Sequence, residues 1–277
     1  MIANNCLFND KKLIFTFWEP KQKIPGFIKL CIETWKKFLP SFKIIILDFK
    51  KAKEYLGQDL FSSIICKNLS IMVQSDAIRV AILNKYGGIW LDADTIILND
   101  YLIKDFQKYE LGLICEPKRY FHYIAFIWAS KNSDILSDWQ NQIISKVNKC
   151  KRIMNNRENT RFWFNSFIQL QKFDYLGNSI IDPIIKNNTN KKIFHIDSNV
   201  TKVFPEFKYF KNNSMSNGLK YKSFYFKKGD PNFVINNTKG LIFLHHNWTP
   251  LKYKIMSRNE FLNQEILLSQ LLANLLK

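Results

Sequence analysis

The sequence predicts an α/β protein, a Rossmann-like mixed sheet with flanking helices and a helical C-terminal region. Three observations carry this. Short apolar runs alternate with segments of helical periodicity through the first half of the chain. Residues 69–86 are apolar on almost every side, as a buried helix is, and lead through Gly87-Gly88 into the apolar run Ile89-Trp90-Leu91. Residues 258–276 repeat leucine and isoleucine at helical spacing. With 277 residues, 47% of them hydrophobic and 15% aromatic, the chain can bury a large core, and a single unit over 1–277 is expected.

Taken in order, Leu13–Trp18 reads as a first strand, with Trp18 at the end where open α/β sheets bind ligands. Pro25-Gly26 opens a helix through Phe38, closed by Pro40; Lys43–Leu47 reads as a second strand ending on Asp48, a strand-end turn residue. Residues 50–68 form a helical cover. After the Gly-Gly stop, Thr95–Leu98 stays extended, and Leu111–Cys115 and Tyr123–Ala129 are two further strands with His122 in the loop between them. Ser133–Val147 is an amphipathic helix, followed by the basic cluster 146–152. Arg161–Leu170, rich in phenylalanine, packs on the sheet or shapes a pocket. Asp182-Pro183 reads as a turn, and residues 186–192 and 211–222 read as loops, the second a lid. Gly240–Leu244 is a strand emptying into His245-His246-Asn247-Trp248, and 258–276 is one helix.

The chemistry gathers on Ser75–Leu98. Asp76 and Arg79, three apart, share a face of the buried helix. Asp92 and Asp94 follow the strand and, in extended backbone, point the same way. Carboxylates at a buried strand end need compensation, which a hard divalent cation bridging to phosphates supplies. A solvated turn is the alternative; the helix, the glycine pair and the apolar strand in that order favour the cation. Imidazoles at a strand end suit transition metals, so His245 and His246 are candidate ligands, against a structural pair capping the strand.

The stretch SDAIRVAILNKYGGIWLDADTII resembles the signature of glycosyltransferases with a sugar-binding region containing a DXD motif. These include the capsular polysaccharide synthesis and Och1-like group and, more distantly, the clostridial glucosylating toxins. FTFWEPKQKIPGFIKLCIETWKKFLPSFKIIILD resembles the opening of the capsular members, so the likeness covers residues 12–130. It implies a GT-A type nucleotide-diphospho-sugar transferase, with 12–130 as donor-binding core and 131–277 as acceptor-side and C-terminal helical portion. It implies Trp18 near the nucleotide base, Asp76 and Arg79 on donor-sugar hydroxyls, and Asp92 at the ribose or on the cation through water. Asp94 would hold Mn2+ or Mg2+, with His245 as third protein ligand, His246 the alternative and Asn247 a further choice. The implied reaction moves a sugar from a UDP- or GDP-sugar to a bacterial surface glycan or glycolipid with retention of configuration; the sequence marks no catalytic nucleophile.

The net charge of +18, from 41 Lys and Arg against 23 Asp and Glu, suits nucleic acid, an anionic membrane face, or phosphate-bearing substrates. The cations are scattered rather than clustered with aromatics, which counts against a nucleic-acid-binding protein. A two-metal phosphoesterase needs more carboxylates than Asp92 and Asp94, with only Asp76 and Asp100 near in sequence. Five cysteines without C-x-x-C spacing fit a reducing compartment. No signal peptide or spanning segment is expected, giving a cytoplasmic protein with peripheral contact at the inner membrane face.

Overall fold

The structure, a computed structural model, describes residues 12–100, 109–116, 121–155, 168, 172, 174–188, 193–197 and 216–277. The expected packing segment Arg161–Leu170 lies outside these apart from Ile168.

Strands β1 (Leu13–Phe17), β2 (Lys43–Leu47), β3 (Gly88–Leu91), β5 (Leu111–Glu116), β6 (Phe121–Ala129) and β7 (Ile193–Asp197) form one sheet in the order β2-β1-β3-β6-β5-β7. All run one way except β6, which is antiparallel to both neighbours. Strands β4 (Thr95–Ile97) and β8 (Leu241–Phe243) form a separate antiparallel pair. The sheet is mixed α/β, as the sequence predicts.

One face is covered by α2 (Phe49–Leu56), α3 (Gln58–Ile64), α4 (Ile71–Tyr86), α5 (Asp134–Asn155) and α6 (Asn178–Asn187). The other packs against α1 (Gly26–Phe38), α7 (Asn217–Tyr225), α8 (Pro231–Asn237), α9 (Leu251–Lys254), α10 (Arg258–Leu262), α11 (Leu267–Leu276) and the β4–β8 pair. α4 is the pivot: residues Ala77–Leu83 are buried without interruption, which a helix between sheet and outer helices requires. Gly87 (φ 67°) ends it, and Gly88 (φ 103°) starts β3 so close to β1 that a Cβ there would lie 2.7 Å from the Leu13 carbonyl.

Four expectations are corrected. His122 is inside β6, wholly buried, not in a loop. Asp182-Pro183 lies within α6 rather than in a turn. A mid-helix proline costs roughly 3 kcal/mol, but Ile180, Ile181, Ile184 and Ile185 are buried on this helix, each contributing about 1.5–3 kcal/mol; burial wins. Residues 217–222 are helical, because Tyr221 and Tyr225 bury one face of α7 despite its polar composition and Ser216 Oγ accepts from Leu219 N. Residues 258–276 are two helices: a Ser257/Glu260 capping box opens the first, and Ile266 turns extended before the second. Ser269 Oγ donates to Phe261 O (2.7 Å) and Leu262 O (2.9 Å), satisfying carbonyls at the end of the first.

α1 fixes the segment after β3. Trp35 Nε1 donates to Thr95 O at 2.7 Å, and Thr34 Oγ1 accepts from Ile97 N at 3.0 Å. Trp35 is fully buried. Trp35→Phe therefore strands a buried carbonyl and is expected to destabilise the chain by about 1–3 kcal/mol in urea titration; an unchanged midpoint would remove this bond from the set that holds β4.

Candidate active site

Because five strands run in parallel, Trp18, Asp48 and Asp92 follow their strands on one sheet edge, the edge where open α/β sheets bind ligands. Asp48 serves as the cap of α2, its Oδ1 accepting from Lys51 N at 2.7 Å. Pairing continues one residue past β3, Asp92 N donating to Ala125 O at 2.9 Å; then Thr95 N donates to Asp92 O at 3.0 Å and closes a turn. That turn overrides the period-two geometry expected of D-x-D. Asp92 Oδ1 accepts from Arg79 Nη2 and Trp90 Nε1, both at 2.9 Å, whereas Asp94 Oδ2 accepts from His246 N at 2.9 Å.

Arg79 is clamped from three elements. Its Nη2 is also 3.2 Å from Asp76 Oδ1, its Nη1 donates to the Ile124 carbonyl of β6, and its guanidinium lies over the Trp90 ring with 5.1 Å to the centroid. The intrahelical ion pair thus exists, and the same guanidinium ties it to β3 and β6. Arg79 Nε is buried with no hydrogen-bond partner among the described residues. Asp76 turns its Oδ2 toward Gly177, where a Cβ would come within 3.1 Å of it. Gly177 precedes α6 and was not legible as a site residue.

The C-terminal half reaches this edge through strand register. β4 pairs with β8 so that Thr95 faces Phe243, which sets residues 244–246 alongside Asp94; Leu244 N donates to Asp94 O at 3.0 Å. His246 is enclosed by aromatics: Trp18 meets its ring edge-on at 5.0 Å, and Phe27 stacks on it at 6.0 Å. His245 lies against Trp248 at 4.0 Å, and its backbone N–H donates to Tyr221 Oη at 3.2 Å. Tyr221, in a segment expected to be a loop, is the support that aims this turn.

The electrostatics are those of a site that lacks a positive charge. Burial pushes Asp94 up to about 7, the neighbouring Asp92 adds to the rise, and the His246 N–H only partly opposes it. Burial likewise takes Asp76 to about 7, against the pull of Arg79 and with Asp92 and Asp174 adding. Burial lowers His246 to about 4, Lys254 contributing, and lowers His245 despite Asp92. Both imidazoles are therefore neutral near pH 7, the form that ligates metals. His246 Nδ1 is buried with no partner among the described residues. This donor set, carboxylates short of cations beside neutral imidazole, fits a divalent cation.

All seven residues expected at the site, Trp18, Asp76, Arg79, Asp92, Asp94, His245 and His246, border this edge. Among the described residues, the set of three ligand atoms that already converges lies elsewhere, at Cys115, His122 and His195. Two surface depressions of about 510 Å³ are lined by none of Asp76, Arg79, Asp92 or Asp94.

Solved structures similar to this chain include the PaToxG glycosyltransferase, at 17% identity over 64% of this chain and 68% of that one, TM-score 0.40. The apo-form glycosyltransferase GlyE of Streptococcus pneumoniae TIGR4 is 12% identical, and this chain spans 96% of itself but 60% of GlyE, TM-score 0.44. The galactosyltransferase LgtC, in complex with donor and acceptor sugar analogs, is 11% identical over 96% of both chains, TM-score 0.41. No curated protein matches the sequence. The family model described as capsular polysaccharide synthesis protein matches residues 3–236, so that β8, His245 and His246 fall beyond it. With 3–236 matched, this chain belongs to the capsular polysaccharide synthesis protein family.

Proposed function

We propose that the chain is a glycosyltransferase of GT-A type in capsular polysaccharide synthesis, cation-dependent and retaining, that moves a sugar from a UDP- or GDP-sugar to a glycan or glycolipid acceptor. The observation that carries this is the Asp76–Arg79–Asp92 cluster beside a carboxyl, Asp94, that burial and Asp92 push up to about 7.

Asp94 and His245 would hold the cation, with His246 the alternative ligand and Asp92 reaching it through water or serving the ribose. When bound, Mn2+ or Mg2+ neutralises the charge that builds on the departing diphosphate. Arg79, fixed by Ile124 and Trp90, orients Asp92 and Asp76 and lends them positive potential. Asp76, held against Arg79 with its Oδ2 facing Gly177, is the group assigned to a donor-sugar hydroxyl. Trp18 offers an aromatic face at the nucleotide end. In the reaction the bond from the sugar anomeric carbon to the diphosphate oxygen breaks and a bond to the acceptor hydroxyl oxygen forms on the same face. The hydroxyl proton passes to the departing phosphate oxygen, so no protein nucleophile is needed.

No helix among the described residues is long and apolar enough to cross a membrane. Leu251 and Ile255, 74% and 77% exposed, flank Lys252 and Lys254, an arrangement that suits peripheral contact with an anionic membrane face.

The test is a panel of UDP- and GDP-sugars scored for nucleotide release with and without manganese. One donor is expected to be cleaved, with release at least about tenfold higher when the cation is present. Release that ignores manganese, or none with any donor, would overturn the reading.

A further inference from the structure

Farther along the same sheet edge, three adjacent strands each present a metal-binding side chain. Cys115 lies on β5, His122 faces it across the ladder on β6, and His195 lies on β7 at the sheet margin. One ligand atom from each lies within 4.8 Å of the other two. We propose that Cys115, His122 and His195 form a zinc site, separate from the Asp92/Asp94 cation and independent of the reading given above.

Geometry carries the proposal. His122 Nε2 and His195 Nδ1 are 3.4 Å apart; two nitrogens at zinc-bond length from one tetrahedral ion stand about 3.3–3.4 Å apart. The other nitrogen of His122, Nδ1, is 2.7 Å from Asp182 Oδ1. A carboxylate taking that proton fixes the tautomer and directs the Nε2 lone pair at the ion, the usual support behind a metal-bound histidine. Asp182 is held in turn by Asn178, whose Nδ2 is 3.4 Å from both its oxygens and 2.6 Å from the His122 carbonyl.

Chemistry selects the ion. A thiolate with two imidazoles is a borderline-soft donor set that prefers zinc to magnesium or manganese. The two sites would therefore sort metals, carboxylate with one imidazole for the donor-substrate cation and thiolate with two imidazoles for zinc. His122 and Cys115 are buried, while His195 is exposed, so an ion can enter from the β7 side and keep a fourth position for water. Bound there, zinc would fasten the marginal strand β7 to β5, β6 and, through Asp182, to α6. A bare Asp182–His122–His195 hydrogen-bond chain is the competing explanation, and it predicts no metal uptake by the folded chain.

The experiment measures zinc in the purified full chain by mass spectrometry and titrates the metal-stripped chain with cobalt(II). One equivalent of zinc is expected, together with a near-ultraviolet thiolate-to-cobalt charge-transfer band. Cys115→Ser should abolish the band, and His195→Ala, a change at an exposed side chain checked by circular dichroism, should abolish zinc retention. Asp182→Asn should weaken zinc affinity roughly 10–100-fold. Asp94→Asn should leave zinc content unchanged even where transfer is lost, which separates this site from the donor site. Folded wild-type chain that takes neither zinc nor cobalt, or zinc content indifferent to both Cys115→Ser and His195→Ala, would overturn the proposal.

Discussion

Asp94→Asn is expected to lower sugar transfer at least about a thousandfold, equivalent to about 4 kcal/mol of transition-state stabilisation, without unfolding the chain. The amide can still accept the His246 N–H, so the β4–β8 turn keeps its bond. What disappears is an anionic ligand. The stability of the cation-free chain has a definite sign. Asp94 and Asp76 bind protons more tightly folded, at about 7, than unfolded, near 4. Their contribution is therefore fully present below about pH 4 and is lost as pH rises through about 7. At pH 8 Asp94→Asn should consequently raise, not lower, the melting temperature of the cation-free chain. Manganese affinity of the wild type should fall below pH 7 by about tenfold per pH unit for each proton displaced, which calorimetry at pH 6 and 8 measures. Retained transfer in Asp94→Asn would remove Asp94 from the ligand set.

Arg79→Ala should have the largest structural effect. The guanidinium is the partner that Asp76 and Asp92 share at 3.2 and 2.9 Å, and its removal leaves buried negative charge uncompensated. Losses of about 3–5 kcal/mol follow from breaking such a buried pair from one side. The deficit should shrink at pH 5, where Asp76 can take a proton, and be largest near pH 8. Arg79→Lys should rescue little, since a point ammonium cannot reach both carboxylates and the Ile124 carbonyl while lying over Trp90. At a temperature where the variant is folded, donor nucleotide-sugar binding should suffer more than binding of the bare nucleotide. Equal loss of both would take Arg79 out of the sugar site.

What could be read from sequence was local. Helix α4, the Gly87-Gly88 stop and the central strand β3 announce themselves because their signals, apolar periodicity and glycines at positive φ, sit within a few residues of each other. The seven candidate residues stood out for the same reason, five beside strand ends and Asp76 and Arg79 as charges on the buried helix. The geometry was not. Period-two alternation predicts extended backbone through Asp94, yet the turn closed by Thr95 N sends the two carboxylates to different partners. The burial of His122 inside β6 depends on its pairing with Cys115 and on a polar partner, Asp182, 60 positions later, neither of which a local window shows. Pro183 and the asparagine- and lysine-rich 217–222 were misread because burial of isoleucines and tyrosines on one face outweighs a local breaker or a polar composition.

The β4–β8 ladder has a further consequence. Three ladder pairs between β4 and β8 set the wall carrying His245 and His246 against the segment that carries Asp94. A chain ending at 236 would keep all six strands of the main sheet, but β4 would present a row of bare backbone N–H and C=O groups. Such a fragment would be an adhesive one, inclined to recruit a strand from a neighbour, so the C-terminal wall covers the β4 edge as well as carrying His245 and His246.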